Sequence, residues 1–75
     1  MIHLPPLSGK DLCKILARVG YELDHQTGSH LILRNSEVPY RRLTIPNHKE
    51  LAKGTLRAII RESGLTLDEF WELIE

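Results

Sequence analysis

Tyr21-Glu22-Leu23-Asp24-His25-Gln26-Thr27-Gly28-Ser29-His30-Leu31-Ile32-Leu33-Arg34-Asn35, residues 21–35, is the stretch on which the fold turns. Its first part, Tyr21–Gln26, alternates, with Tyr21, Leu23 and His25 on one side, as a half-exposed strand does. Thr27-Gly28 breaks the pattern, and Gly28 permits the positive φ that tight turns use. His30–Asn35 then reads as a second strand with a nearly continuous apolar middle, suited to the centre of a small sheet. In it His30 and Ile32 point one way and Leu31 and Leu33 the other, and the pattern leaves open which side is core. The stretch is therefore a hairpin, and a histidine stands at the first position after its turn.

The neighbouring segments extend this hairpin into a domain. Asn35-Ser36-Glu37-Val38-Pro39 is a second turn, and Tyr40–Ile45 a third strand with Arg41, Leu43 and Ile45 on one face and Tyr40, Arg42 and Thr44 on the other. Pro46 ends it. Short connections of this kind imply an antiparallel meander. Upstream, residues 1–7 form an extended lead-in around Pro5-Pro6, with His3 in it and no role assigned to it. Ser8 is a helix N-cap, Leu12, Ile15, Leu16 and Val19 make one apolar stripe, and Gly20 is the stop. Downstream, Asn47-His48-Lys49-Glu50 has the form of a capping box with a short helical turn after it. Lys53-Gly54-Thr55 opens a helix carrying Leu56, Ile59 and Ile60 and stopping at Gly64. Thr66-Leu67-Asp68-Glu69 is a further capping box, heading a last helix with Leu67, Phe70, Trp71 and Ile74 on its apolar stripe. Phe70 and Trp71 are core or lid residues, and the aromatic stripe of a terminal helix also suits docking on a partner. The expected fold class is α+β, an α-β-β-β-α domain with a three-stranded antiparallel sheet packed by helices, plus a short C-terminal helix. Double-stranded-RNA-binding domains share this order of elements.

Composition narrows the function. At 75 residues the chain is a single domain, 1–75, with a small core and no room to enclose a large cofactor. A single cysteine, Cys13, excludes an intrachain disulfide and suits a reducing cytosol. No apolar run approaches the ~20 residues of a membrane span, and the N-terminus lacks a signal-peptide core, so the expectation is a cytoplasmic protein without a membrane partner. Formal charge balances overall but not locally. Residues 30–61 hold seven basic side chains against two acidic, while residues 62–75 hold five acidic and none basic. A basic centre suits a phosphate-bearing partner, and mutual neutralisation across a small surface is the other reading. Lys49, Lys53, Arg57 and Arg61 recur every four residues, as a cationic ridge beside a helix N-terminus or as a solvated face, with Gly54 a point where the ridge divides.

For chemistry, Gly28-Ser29-His30 leads. An imidazole, with a reference pKa near ~6.5, gains and loses protons near neutrality. His25 has a structural or rim role, and Cys13 fills space. His48 is the other acid–base candidate, or a structural turn residue. No Asp, Glu or His cluster has metal-ligand spacing, so no metal or cofactor is expected.

Five blocks carry a sharper signal: Leu7-Ser8-Gly9-Lys10-Asp11; Gly20-Tyr21; Gln26-Thr27-Gly28-Ser29-His30; Thr44-Ile45-Pro46-Asn47-His48; and Gly54-Thr55-Leu56-Arg57-Ala58-Ile59-Ile60-Arg61-Glu62-Ser63-Gly64-Leu65. In content and order they resemble the HicA toxins, also called the YcfA-like family, over nearly the whole chain. One departure is that Lys53 precedes Gly54 directly, where many members place a proline. The resemblance implies a small mRNA interferase with a double-stranded-RNA-binding-like fold, paired with a HicB-type antitoxin, and His30 as the catalytic histidine. On that basis His30 transfers protons in metal-independent cleavage of mRNA, and Gly28, Ser29, Arg42, Lys49, Lys53, Thr55 and Arg57 are the candidate RNA- and phosphate-binding residues. A non-catalytic RNA-binding module, and a module acting through HicB alone, are the alternatives.

Overall fold

The computed structural model describes residues 4–74, so His3 and most of the expected lead-in's first half lie outside the described residues. The elements run α1 (Gly9–Leu16), a 3-10 turn (Ala17–Val19), β1 (Tyr21–Gln26), β2 (His30–Asn35), β3 (Arg42–Pro46), α2 (Lys53–Ser63) and α3 (Leu67–Ile74). This is the α+β architecture expected, with sheet order β1-β2-β3 and both pairings antiparallel. No helix among the described residues is long and apolar enough to cross a membrane.

Local chemistry sets the helix ends. The Ser8 hydroxyl accepts from the Asp11 N–H at 3.0 Å, and the Ser8 N–H donates to the Asp11 carboxylate at 3.2 Å, a reciprocal capping box. That backbone bond, with the hydroxyl, holds the Asp11 carboxyl below its ordinary value. Thr66 and Glu69 cap α3 in the same way, at 3.1 and 2.8 Å. Gly20 and Gly64 take φ of 95° and 90° and end the 3-10 turn and α2 in the left-handed conformation glycine favours.

The register answers which face is core. Leu31 and Leu33 stand opposite Ile45 and Leu43, and all four are buried against Leu12 and Leu16 of α1, Leu56, Ile59 and Ile60 of α2 and Phe70 of α3. The Tyr21 hydroxyl ties β1 to the end of α2 by donating to the Ser63 carbonyl at 2.8 Å. His30, Ile32, Arg34, Arg42 and Thr44 therefore point away from the helices. Ile32 is only 5% exposed yet outside that core; its cross-strand partners His25 and Thr44 and its strand neighbours His30 and Arg34 surround it.

The third strand and the segment after it differ from expectation. β3 begins at Arg42, not Tyr40, because Tyr40 closes the preceding turn at φ 60°, with its N–H donating to the Glu37 carbonyl at 2.7 Å. No capping box or helical turn forms over residues 47–52. The Asn47 N–H goes to the Ser29 carbonyl (2.9 Å) and the Leu51 N–H to the Leu7 carbonyl (2.8 Å), so partners distant in sequence take the donors a helix would have used. α2 starts only at Lys53, after Ala52 at the N-cap, and runs through Gly54 without interruption.

Gly9 lies where this loop crosses α1, and its N–H donates to the His48 carbonyl at 3.0 Å. A Cβ there would sit 2.2 Å from the Pro46 carbonyl oxygen. Gly9→Ala is therefore expected to cost about 1–3 kcal/mol by overpacking, read as a lower urea midpoint with an unchanged slope. Gly54→Ala, with open space around the new methyl, is the matched control.

Candidate active site

His30 is mounted from several directions. Its N–H donates to Thr27 Oγ1 (3.1 Å), and its carbonyl accepts from the Thr27 N–H (2.9 Å), so Thr27 pins the hairpin turn. Its Cα partner across the sheet is Pro46, and the Asn47 bond to Ser29 fastens the other side. The ring Nδ1 lies 3.1 Å from Ser29 Oγ, and the side chain is exposed. Gly28 does not use a positive φ, contrary to expectation, since the left-handed glycines among the described residues are Gly20 and Gly64. What Gly28 contributes is open space: nothing lies within 4 Å of where a Cβ would stand.

A β-bulge overturns the expected facing of His25. Leu23 pairs with Leu33, but His25 pairs with Ile32, leaving Asp24 as the extra residue. Two residues of β1 thus oppose one of β2. Uninterrupted alternation would send His25 to the core side with Tyr21 and Leu23; the bulge turns it to the open face, where His30 stands. There the His25 Nδ1–H donates to Asp24 Oδ2 at 2.7 Å, and Arg34 Nε lies 4.0 Å from Asp24 Oδ1. The His25 bond holds the Asp24 carboxyl below its ordinary value, with help from the charges of Arg34 and Arg42. Arg34 stands directly opposite Arg42, and both are exposed. Like charges so placed repel, and an anion between them relieves that repulsion.

The remaining candidate residues fall into two further groups. His48 and Lys49 follow the end of β3 and line a cleft with Ser8, Asn47 and Lys10. Lys10, near the start of α1, belongs to that cleft too. Lys53, Thr55 and Arg57 lie on α2, in the helix layer, and Lys49 is outside that helix. The cationic ridge is therefore Lys53, Arg57 and Arg61 on α2, with Lys49 in the loop before it. Gly28, Ser29 and His30 thus cluster at one end of the sheet; Arg42 shares the face of His30 but lies near the other end, about 13 Å along β3 from Pro46. Among the described residues, no group of three or more His, Cys, Asp or Glu side chains is placed to hold a metal ion.

A family model described as HicA toxin of bacterial toxin-antitoxin matches residues 9–65. No curated protein matches the sequence. The matched span runs from the first residue of α1 to just beyond α2, takes in Gly28, Ser29, His30 and His48, and leaves α3 outside. With most of its length matched and the expected fold in place, the chain belongs to the HicA toxin family, the toxin side of a bacterial toxin–antitoxin pair.

Proposed function

We propose that this toxin is a metal-independent mRNA endoribonuclease in which His30 is the general acid–base group, silenced by a HicB-type antitoxin. The mounting of His30 supports this reading best: an exposed imidazole on a paired strand, with Ser29 Oγ 3.1 Å from Nδ1. When Nδ1–H donates to that hydroxyl, Nε2 keeps the lone pair a base needs. Taking the proton from a ribose 2′-OH lets the oxygen attack the adjacent phosphate, and general acid–base help of this kind contributes typically ~10²–10⁴-fold.

The cations supply the electrostatic part. The chain leaves β3 beside His30 and passes His48, Lys49 and Lys53 before Arg57 on α2. An RNA strand following that route meets the charges of Lys49, Lys53 and Arg57, which neutralise phosphate and stabilise the charge that develops on the reacting one. An acidic surface on the antitoxin complements the same cations.

The test incubates the purified chain with a long labelled mRNA in excess EDTA. Shorter fragments accumulating with time are expected, and RNA retention should weaken steeply as salt rises. RNA that is retained but stays intact would support a non-catalytic binding module instead. No retention even at low salt would point to a toxin that acts through protein contacts alone.

A further inference from the structure

The bulge at Asp24 leaves a second histidine beside the first, with no part in the mechanism so far. His25 pairs with Ile32, and His30 is two positions along the same strand. The two histidines are thus diagonal neighbours on the open face, with Cα atoms about 7–8 Å apart. That spacing lets two rings flank a single phosphodiester. The two are also held alike. In each, Nδ1 engages the side chain of the preceding residue, Asp24 for His25 and Ser29 for His30, at 2.7 and 3.1 Å. Because a carboxylate can only accept, the Asp24 bond places a proton on His25 Nδ1 and turns Nε2 outward.

From this geometry we infer that His25, held by Asp24, is the second proton-transfer group of the RNA cleavage reaction. This rests on the endoribonuclease reading above. His30 takes the proton from the 2′-OH; the 2′-oxygen forms a bond to phosphorus; the bond from phosphorus to the 5′-oxygen breaks; and His25, entering as imidazolium, gives its Nε2 proton to that oxygen. The products are a 2′,3′-cyclic phosphate and a 5′-hydroxyl, and the two histidines exchange protons with water to reset. Asp24 is a positioning residue. His48 is less suited to the step, because it lies past the end of β3 in the cleft with Lys10 and Lys49 rather than on the face shared by His25 and His30.

The charged surroundings of His25 are Glu22 and Asp24 on β1, His30 and Arg34 on β2, and Arg42 on β3 beyond. Arg34 and Arg42 lie further along the face, where the next phosphate of a bound strand would fall.

The test measures single-turnover cleavage of a short RNA and of its analogue carrying a bridging 5′-sulfur, a leaving group that needs no proton. His25→Ala is expected to slow cleavage of the ordinary RNA about 10²-fold or more, to lose the descending limb of the pH–rate profile, and to regain near wild-type rate on the sulfur analogue. Asp24→Asn should slow the ordinary RNA less and be rescued likewise. His30→Ala should be slow on both. A His25→Ala rate within twofold of wild type, or a loss that the sulfur analogue fails to restore, overturns the assignment of His25. Rescue of His48→Ala by the analogue, with His25→Ala unaffected, gives the role to His48. A wild type that cleaves neither RNA overturns the endoribonuclease reading itself, which separates the two failures.

Discussion

His30→Ala is expected to lower RNA cleavage by about 10²–10⁴-fold and to abolish growth inhibition when the toxin is expressed, while the fold stays intact. The fold should survive because the ring is exposed and its side-chain bond is a local one to Ser29. Surface changes of this kind usually shift stability by less than about 0.5 kcal/mol. The backbone bonds that pin the residue, to Thr27 and across to β3, do not depend on the ring. Denaturation midpoint and cleavage rate are therefore expected to separate cleanly in this variant. Cleavage and toxicity that both persist would remove His30 from the reaction. RNA affinity should fall much less than rate, because the cations proposed to hold phosphate are elsewhere, on the β3–α2 loop, on α2 and on the arginine pair of the open face.

Phe70→Ala is expected to produce the opposite separation. Phe70 is fully buried on α3, the element beyond the family match, and packs into the cluster that joins α1, α2 and α3 to the sheet. Removing such a ring costs about 3–5 kcal/mol, against a total stability of about 5–15 kcal/mol for ordinary domains. A small domain sits at the lower end, so the variant should be largely unfolded near physiological temperature and inactive for that reason. The lone tryptophan, Trp71, is next to the substituted residue and reports the transition by fluorescence in urea. Leu67→Ala, at the exposed start of the same stripe, is the control and should cost far less. A loss below about 1 kcal/mol for Phe70→Ala would make α3 a detachable lid rather than part of the core.

Phe70 and Trp71 also show how position along a stripe translates into burial. Both are at helical spacing, yet Phe70 reaches the core and Trp71 is half-buried. The stripe marks a direction; how far each side chain is covered depends on what packs opposite it. The same holds on the sheet. Leu23 is in register with Leu33 and Leu43, yet it lies outside the core cluster and is 55% exposed while they are buried, although Leu43 also stands on an edge strand.

Much of the molecule is legible residue by residue. Ser8, Thr66, Gly20 and Gly64 mark helix ends because their work is done within three or four residues, through hydrogen bonds and backbone conformations the local sequence specifies. The boundaries of β1 and β2 follow from alternation around a Gly-Ser turn, and Gly28-Ser29-His30 is visible as a histidine at the edge of that turn. Asn47 misleads for the same reason: its pattern is that of a cap, but its N–H is committed to Ser29, eighteen positions away in the chain.

What local pattern could not settle is what depends on pairing between distant segments. Leu31 and Leu33 against His30 and Ile32 is a symmetrical choice in a strand with apolar residues on both sides, and it is resolved by the helices that cover one face. Gly9 is ordinary within its own helix; the need for glycine comes from the Pro46 carbonyl of a loop that arrives from beyond the sheet. The bulge is the most consequential case. Period-two alternation sets His25 on the core side, and a single extra residue, Asp24, reverses it. Short-range hydrogen bonds and side-chain periodicity are properties of a segment, and so they can be read from it. Register is a property of a pair of strands, and here it is register that brings a second histidine onto the face of His30.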